Sequence, residues 1–205
     1  MKSTSKNHAS TPSRKLAILA FVTLDGVMQA PSSPQEDTTG GFMRGGWAND
    51  YWAEVMEQAQ REAMSEPYDM LFGRKTYEMF APHWSTASTD DPLATMMNNA
   101  QKYVVSTQDL DLTWQNSGLI YGDVCSKIKT LKQQPGNLIQ VHGSCNLIQT
   151  LLKHDLIDEF RLWTFPVILG QGKRLFGEGV IPQNLTLTKS DTTKNGVTMG
   201  IYRRQ

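Results

Sequence analysis

Ile139-Gln-Val-His-Gly-Ser-Cys-Asn-Leu-Ile-Gln-Thr-Leu-Leu152 is the stretch that decides how this chain folds. A short strand-like run ends in a tight turn at His142-Gly143-Ser144, and apolar residues then recur at helical spacing at Leu147, Ile148, Leu151 and Leu152. A strand that turns on glycine into a helix aims the first free N–H groups of that helix at one spot. Such a spot holds anions, typically nucleotide phosphates. Many strand-to-helix turns carry glycine and bind nothing, so the meaning of this one depends on what other segments bring beside it.

Working outward, Leu16 to Val22 is apolar without alternation, which predicts a strand covered on both faces. Asp25-Gly26 ends it, and 31–46, rich in Pro and Gly, reads as a long loop of the kind that often carries function. Asn49 or Asp50 is expected to cap a helix reaching Ser65, with Trp52, Val55, Met56, Ala59 and Ala63 on one side. Tyr68–Phe72 predicts a strand that Gly73 turns into a helix over Lys75–Phe80, and Leu93–Ala100 a further short helix. Strands are expected at Lys102–Ser106 and Leu119–Gly122, with a helix from Asp123 through Lys132 between the latter and the opening segment. Ile157–Leu169 reads as a long strand with an edge proline at Pro166. Leu185–Ser190 and Val197–Arg203 form a hairpin about Lys194-Asn-Gly196, because Asn-Gly is a strong hairpin turn. Alternating strands and helices followed by strands alone imply an α/β domain, with a mainly parallel sheet and an antiparallel edge.

Composition narrows the function. The chain has 205 residues, 39% of them hydrophobic, with 20 basic and 20 acidic side chains. The length suits a single domain over 15–205, after a tail over 1–14 that is expected to be disordered. A balanced charge gives no reason to expect nucleic acid or an anionic membrane as partner. Cys125 and Cys145 form no CxxC pair, which points to a reducing cytoplasm rather than a disulfide framework. His8, His83, His142 and His154 are scattered without ligand spacing, so no metal site is expected. Cys145 sits near a helix start, where a thiolate is favoured, yet no base accompanies it, and an inert buried thiol is the simpler reading.

Three strand ends are candidates for one site. Phe72-Gly73-Arg74-Lys75-Thr76 brings a glycine turn, two cations and a hydroxyl; Val105-Ser106-Thr107 brings two hydroxyls; His142-Gly143-Ser144 is the turn above. Ligands of open α/β sheets bind beyond the carboxyl ends of the strands. A pyrophosphate cradle with cations and hydroxyls suits a phosphorylated dinucleotide. The bland alternative makes Arg74 and Lys75 solvated helix-start residues and Ser106-Thr107 a plain turn. Gly170-Gln-Gly172-Lys-Arg-Leu-Phe-Gly177 lacks the Rossmann spacing and reads as a loop with Lys173 and Arg174 in solvent. Asp25, Glu36 and Asp37 could relay a proton, and Trp47, Trp52 and Trp84 could wall a pocket.

In these pieces the chain resembles the dihydrofolate reductase-like fold. Within it, the chain is most similar to stand-alone relatives of the reductase domain of bacterial riboflavin biosynthesis. The matching segments are Thr23–Gly26, Leu71–Glu78, Lys102–Ser106, Val141–Ser144 with Leu147-Ile148, and Leu156–Leu162 running into Pro166–Phe176. The resemblance implies NADPH as cofactor and a homodimer, and a reductase of the 5-amino-6-(5-phosphoribosylamino)uracil type acting on a C=N or C=O group. It places Gly73, Arg74, Lys75 and Thr76 along the phosphates, Ser106 and Thr107 near the adenosine 2′-phosphate, and Gly143, Ser144, Asn146 and Leu147 at the pyrophosphate. Val27 and Met28 then approach the nicotinamide, Asp25 is the candidate proton donor, and Asp37 and Trp47 are candidate substrate contacts. Two positions depart from the family pattern. Val141 stands where the pathway enzymes carry a substrate-contacting Glu, and no Arg follows Asp91-Pro92-Leu93. A pterin reductase, with Glu54 or Asp50 as its acid, and a non-catalytic nucleotide-binding module remain as alternatives.

Overall fold

Strand β1 (Leu16–Thr23) lies in the middle of an eight-stranded sheet, parallel to both neighbours, and its LAILAFVT sequence is buried almost throughout. That is the physical use of an apolar run without alternation: helices cover both faces. The computed structural model describes residues 13–205. After β1 come α1 (Trp52–Ala63), β2 (Tyr68–Gly73), α2 (Arg74–Trp84), α3 (Pro92–Asn99), β3 (Lys102–Val105) and β4 (Ser117–Ile120). Then follow α4 (Val124–Lys132), β5 (Leu138–His142), α5 (Cys145–Lys153), β6 (Glu159–Phe165), β7 (Leu185–Thr192) and β8 (Thr198–Arg204). The spatial order is β4-β3-β2-β5-β1-β6-β8-β7; the first six are parallel, and β8 and β7 close the sheet antiparallel. This is the expected α/β architecture, a mainly parallel sheet with an antiparallel C-terminal edge hairpin.

The two faces have separate cores. Helices α4 and α5 press Ile128, Leu131, Leu147, Ile148, Leu151 and Leu152 onto Ile18, Leu71, Ile139 and Val141. On the opposite face, α2 and α3 pack Tyr77, Ala81, Leu93 and Met97 against Met70, Phe72, Val104 and Trp114. Val55 of α1 covers the β6–β8 side of that face with Trp163, Phe165 and Met199. Each fully buried Val, Leu, Ile, Phe or Met among them contributes about 1.5–3 kcal/mol by leaving water.

Several expectations shift. Asn49 and Asp50 belong to a 3-10 turn, and α1 begins after Tyr51 with no side-chain cap. The helix after β2 continues to Trp84, carrying Pro82 in its last turn. Strand β4 starts earlier than expected, at Ser117, and ends at Ile120. Strand β6 stops at Phe165, so Pro166 follows the strand instead of lying within it. It sits between β1 and β8 with Phe160, Trp163 and Phe165 at most 1% exposed, so this apolar strand is core.

Residues 1–12 of the expected tail lie outside the described residues, but Ser13 and Arg14 are docked. Arg14 is 5% exposed, donates from Nε to Asn137 O at 2.6 Å, and forms an ion pair with Asp69. A buried pair is costly to break from one side, because the remaining charge is stranded. Arg14→Leu should therefore lower unfolding free energy by about 3 kcal/mol in urea titrations, and adding Asp69→Leu should recover part of the loss. An Arg14→Leu protein as stable as the parent would remove this anchor from the account.

Candidate active site

Adjacent strands β2 and β5 send their helices to opposite faces of the sheet, α2 one way and α5 the other. The crevice at such a divergence is where open α/β sheets bind ligands. The two turns are joined directly. Ser144 Oγ donates to His142 O at 2.9 Å and accepts the Gly73 N–H at 2.9 Å, while Ser144 N–H donates to Thr76 Oγ1 at 3.2 Å. Ser144 adopts a left-handed conformation (φ 61°), and Gly143 before it has φ 51°. With its hydroxyl committed across the turns, Ser144 does not cap α5, and Gly73 does not cap α2. Two helix starts therefore open side by side with no side-chain cap on their first N–H groups. Gly143 and Asn146 are exposed, and Leu147 is buried beneath them.

The other candidates are arranged less simply. Lys75 is exposed and Thr76 half-buried. Arg74 is turned along its own helix, donating from one guanidinium nitrogen to both carboxylate oxygens of Glu78 at 2.9 and 3.1 Å. Ser106 is buried, and its hydroxyl is closed into a local turn with Gln108, leaving Thr107 as the exposed hydroxyl at the end of β3. Burial pushes the Cys145 thiol up to about 11, which outweighs its place at a helix start and makes it inert.

Across β1, the turn after Thr23 meets the segment after β6. Val27 bridges Arg174, Met28 N–H donates to Lys173 O at 2.8 Å, and Leu175 N–H donates to Gly26 O at 2.9 Å. Val27 and Met28 are thus buried, and their N–H groups donate to Thr23 Oγ1 and Lys173 O. Gly172 makes this approach possible: it has φ 122°, and a Cβ there would lie 2.7 Å from Val27 Cγ1 and 2.9 Å from the Phe42 ring. Lys173 and Arg174, expected in solvent, are held. Arg174 donates to the Asp25 carbonyl and lies 3.5 Å from its carboxylate, and Lys173 Nζ is 2.6 Å from Asp37 Oδ2.

Asp25 does not fit the role of proton donor. Its carboxylate accepts from Thr23 Oγ1 at 2.6 Å, Gly170 N–H at 2.8 Å and Leu169 N–H at 3.2 Å. The Thr23 hydroxyl above all, then those backbone donors, overcome desolvation and hold its pKa at about 2. It is a turn-fastening carboxylate, ionised at neutral pH. Asp37 is also held below the usual range: burial raises it, but Lys173 and Thr39 outweigh burial. Trp47 packs edge-on to Phe165 at 5.2 Å and donates from Nε1 to Gln29 O at 2.8 Å, so it is wall.

Gln29 escaped the sequence reading. Buried at 2% exposure, its amide nitrogen donates to Asp37 O and Thr39 O, and its Oε1 accepts the Lys173 N–H. One side chain thus fastens loop 31–46 to the segment after β6. A second group missed is the buried set around Arg161, which pairs with Glu159 and Glu66 and donates to Gln140, itself beside His142. Burial, then the Arg161 charge, pushes His142 down to about 4, so it is a neutral core histidine. Among the described residues, no group of three His, Cys, Asp or Glu could hold a metal, and no helix is long and apolar enough to cross a membrane.

Residues 14–199 match the family described as the RibD C-terminal domain. The chain belongs to that family. The uncharacterized protein YyaP of Bacillus subtilis (strain 168) is 31% identical over 137 residues, 65% of this chain and 72% of that one. A putative riboflavin biosynthesis protein from Shewanella sp. PV-4 shares the fold at a TM-score of 0.64 and 23% identity, over 93% of this chain and 99% of that one. Dihydrofolate reductase from Enterococcus faecalis, solved with NADP(H), aligns at a TM-score of 0.56 and 11% identity, over 93% of this chain and 96% of that one. The RibD-type reductase family and the dihydrofolate reductase-like architecture are therefore those the opening sequence segments implied.

A depressed carboxylate pKa adds stability above its unfolded value near 3.8, and that stability is lost as pH falls through the folded value near 2. Asp25→Asn should lower the midpoint of chemical unfolding at pH 7, and the gap to the parent should narrow steadily from pH 4 downward. A gap that stays constant to pH 3 would show that the ionised carboxylate is not the fastening group.

Proposed function

We propose that this protein is an NADPH-dependent reductase of a small heterocyclic or sugar-derived compound with a reducible C=N or C=O. The observation that carries the reading is the pair of uncapped helix starts at Gly73 and Ser144, locked together by one serine hydroxyl. The first-turn N–H groups of α2 and α5, which no side chain caps, beside an open glycine turn at Gly143, fit a pyrophosphate. When bound, the cofactor supplies the hydride that no amino-acid side chain can give.

In this reading Gly143, Ser144, Asn146 and the backbone of Leu147 hold the pyrophosphate. Gly73, Lys75 and Thr76 lie along the phosphates, and Arg74 and Thr107, with the turn of Ser106, serve the 2′-phosphate. The Arg74–Glu78 pair does not oppose this. It is exposed, 37% and 44% at the two side chains, so it is worth well under about 1 kcal/mol and a phosphate dianion competes for it readily. The turn around Val27 and Met28 backs the nicotinamide, and Trp47 and loop 31–46 frame the substrate. The proton that accompanies hydride comes from water at this rim, since Asp25 is fully engaged.

Val141 is buried in the α4–α5 core, so the acid that the riboflavin-pathway pattern carries is missing, and the α3 sequence supplies no Arg for a ribose phosphate. The ribosylaminopyrimidine phosphate is accordingly a candidate to be tested beside others. The pterin alternative draws no support from Glu54, which accepts the N–H of Asn195 in the β7–β8 turn.

NADPH fluorescence titration, followed by loss of NADPH absorbance with the ribosylaminopyrimidine phosphate and with dihydrofolate, tests the reading. Arg74→Ala should weaken NADPH by about tenfold and NADH by much less. Equal losses for the two would remove the 2′-phosphate role. Binding without oxidation in the presence of any such substrate would favour a nucleotide-binding module.

A further inference from the structure

Register lines up the strand ends beside the two glycine turns. Leu71 pairs with Val141, Gly73 with Val105, and Val105 with Ile120. The carboxyl edge of β5, β2, β3 and β4 therefore passes through Gly143, Gly73, Val105 and Ile120 in that order, and Tyr121 is the next residue on β4. Ser106 N–H donates to Ile120 O at 3.2 Å, which carries the β3–β4 pairing past the strand ends and holds Tyr121 beside Ser106-Thr107. Neighbouring strands lie about 4.8 Å apart, so Tyr121 stands roughly 10 Å along this edge from the Gly73 turn. It is 54% exposed. Phe176, the other exposed aromatic among the described residues, rests on Phe160 with ring centres 5.9 Å apart. Tyr121 has no aromatic neighbour among those residues. A Cβ added at the following Gly122 would meet nothing within 4 Å, so the space there is open. The acid after it, Asp123, is committed to α4, accepting from Ser126 N–H at 3.1 Å and Ser126 Oγ at 2.7 Å.

We propose that Tyr121 is the platform on which the adenine base of the dinucleotide stacks. This rests on the dinucleotide reading above, in which the pyrophosphate lies at Gly73 and Ser144. One arm of the cofactor then runs over β5 toward the turn at Val27 and Met28 beside β1. The other arm must run the opposite way along the edge, across β3 and onto β4. The hydroxyl of Thr107 at the end of β3 lies where the ribose passes, and the exposed ring of Tyr121 lies one strand farther, where the base arrives. A phenol ring offers a purine a flat apolar face, and stacking needs no matched hydrogen bonds. Arg74 and Thr107 would read the 2′-phosphate, whereas Tyr121 would take the base, which NADPH and NADH share. It therefore adds affinity without choosing between the two.

The test uses the full chain with NADPH, followed by fluorescence titration, and with adenosine 2′,5′-bisphosphate and inorganic pyrophosphate, followed by shift in melting temperature. Tyr121→Ala should weaken NADPH and the bisphosphate at least about fivefold each. Pyrophosphate, which carries no base, should shift the melting of parent and variant equally. Tyr121→Phe keeps the ring and should stay within about twofold of the parent for every probe. A Tyr121→Ala protein that binds NADPH as tightly as the parent overturns the proposal and leaves the dinucleotide reading standing. A Tyr121→Phe protein that loses as much as Tyr121→Ala also overturns it, because the hydroxyl and not the ring would then be the contact. A parent that binds neither NADPH nor the bisphosphate sinks the dinucleotide reading and this inference with it.

Discussion

The serine at position 144 ties together everything at the carboxyl edge of the sheet. A serine at the head of a helix ordinarily turns its oxygen back onto the helix N–H groups. Ser144 is instead in a left-handed conformation, and its hydroxyl spans the gap between β5 and β2, from His142 O to the N–H of Gly73. One small side chain fixes the distance between two helix starts on opposite faces of the sheet, and by doing so leaves α5 uncapped. The conformation is strained for a residue with a Cβ. It persists because three hydrogen bonds and the adjacent Gly143 determine it, which is how strain at functional turns is usually maintained.

The clamp needs no long-range electrostatics, but the opposite wall of the crevice does. There the loops after β1 and β6 have no regular pairing beyond a single bridge, and charged and amide side chains join them. Asp25 with Arg174, Asp37 with Lys173, and Gln29 between them do the work that a ladder of backbone bonds does elsewhere. The result is an asymmetric site. Its β2–β5 wall is rigid, built on strand ends and a serine bridge, while its β1–β6 wall is held by contacts that ions or ligands can replace.

That asymmetry also explains what was legible in the sequence. The glycine turns at Gly73 and Gly143, the apolar β1 run and the Asn-Gly hairpin were readable because local chemistry determines each of them. Lys173 and Gln29 were not. Each acts on residues well over a hundred positions away or across a loop without periodicity, so no spacing rule points to them, and a Lys-Arg pair after a glycine turn looks like solvated surface. Asp25 misled for a related reason. A carboxylate beside a candidate cofactor site suggests acid chemistry, but its pKa is set first by the Thr23 hydroxyl and then by the N–H groups of Gly170 and Leu169, which come from the far side of the chain. Ile157–Leu169 read as one strand because the residues stay apolar beyond Phe165, although Pro166 has no N–H to extend a ladder.

Burial separates the remaining ionisable groups into those that can do chemistry and those that cannot. Lys102 is fully buried with its ammonium on the carbonyls of Asn98, Ala100 and Gln115 and 4.5 Å from the Trp114 ring centre, tying the end of α3 to the loop before β4. His142, though it belongs to the turn that opens the site, points among Tyr68, Phe72 and Phe80, away from any role as a proton carrier. His142 and Cys145 are neutral in the core and Asp25 is ionised in its turn, so none of the three carries a proton to the crevice. The charge that remains exchangeable is the partly exposed Lys173–Asp37 pair on the less rigid wall, while the Ser144 clamp on the other wall is made of hydrogen bonds between neutral groups.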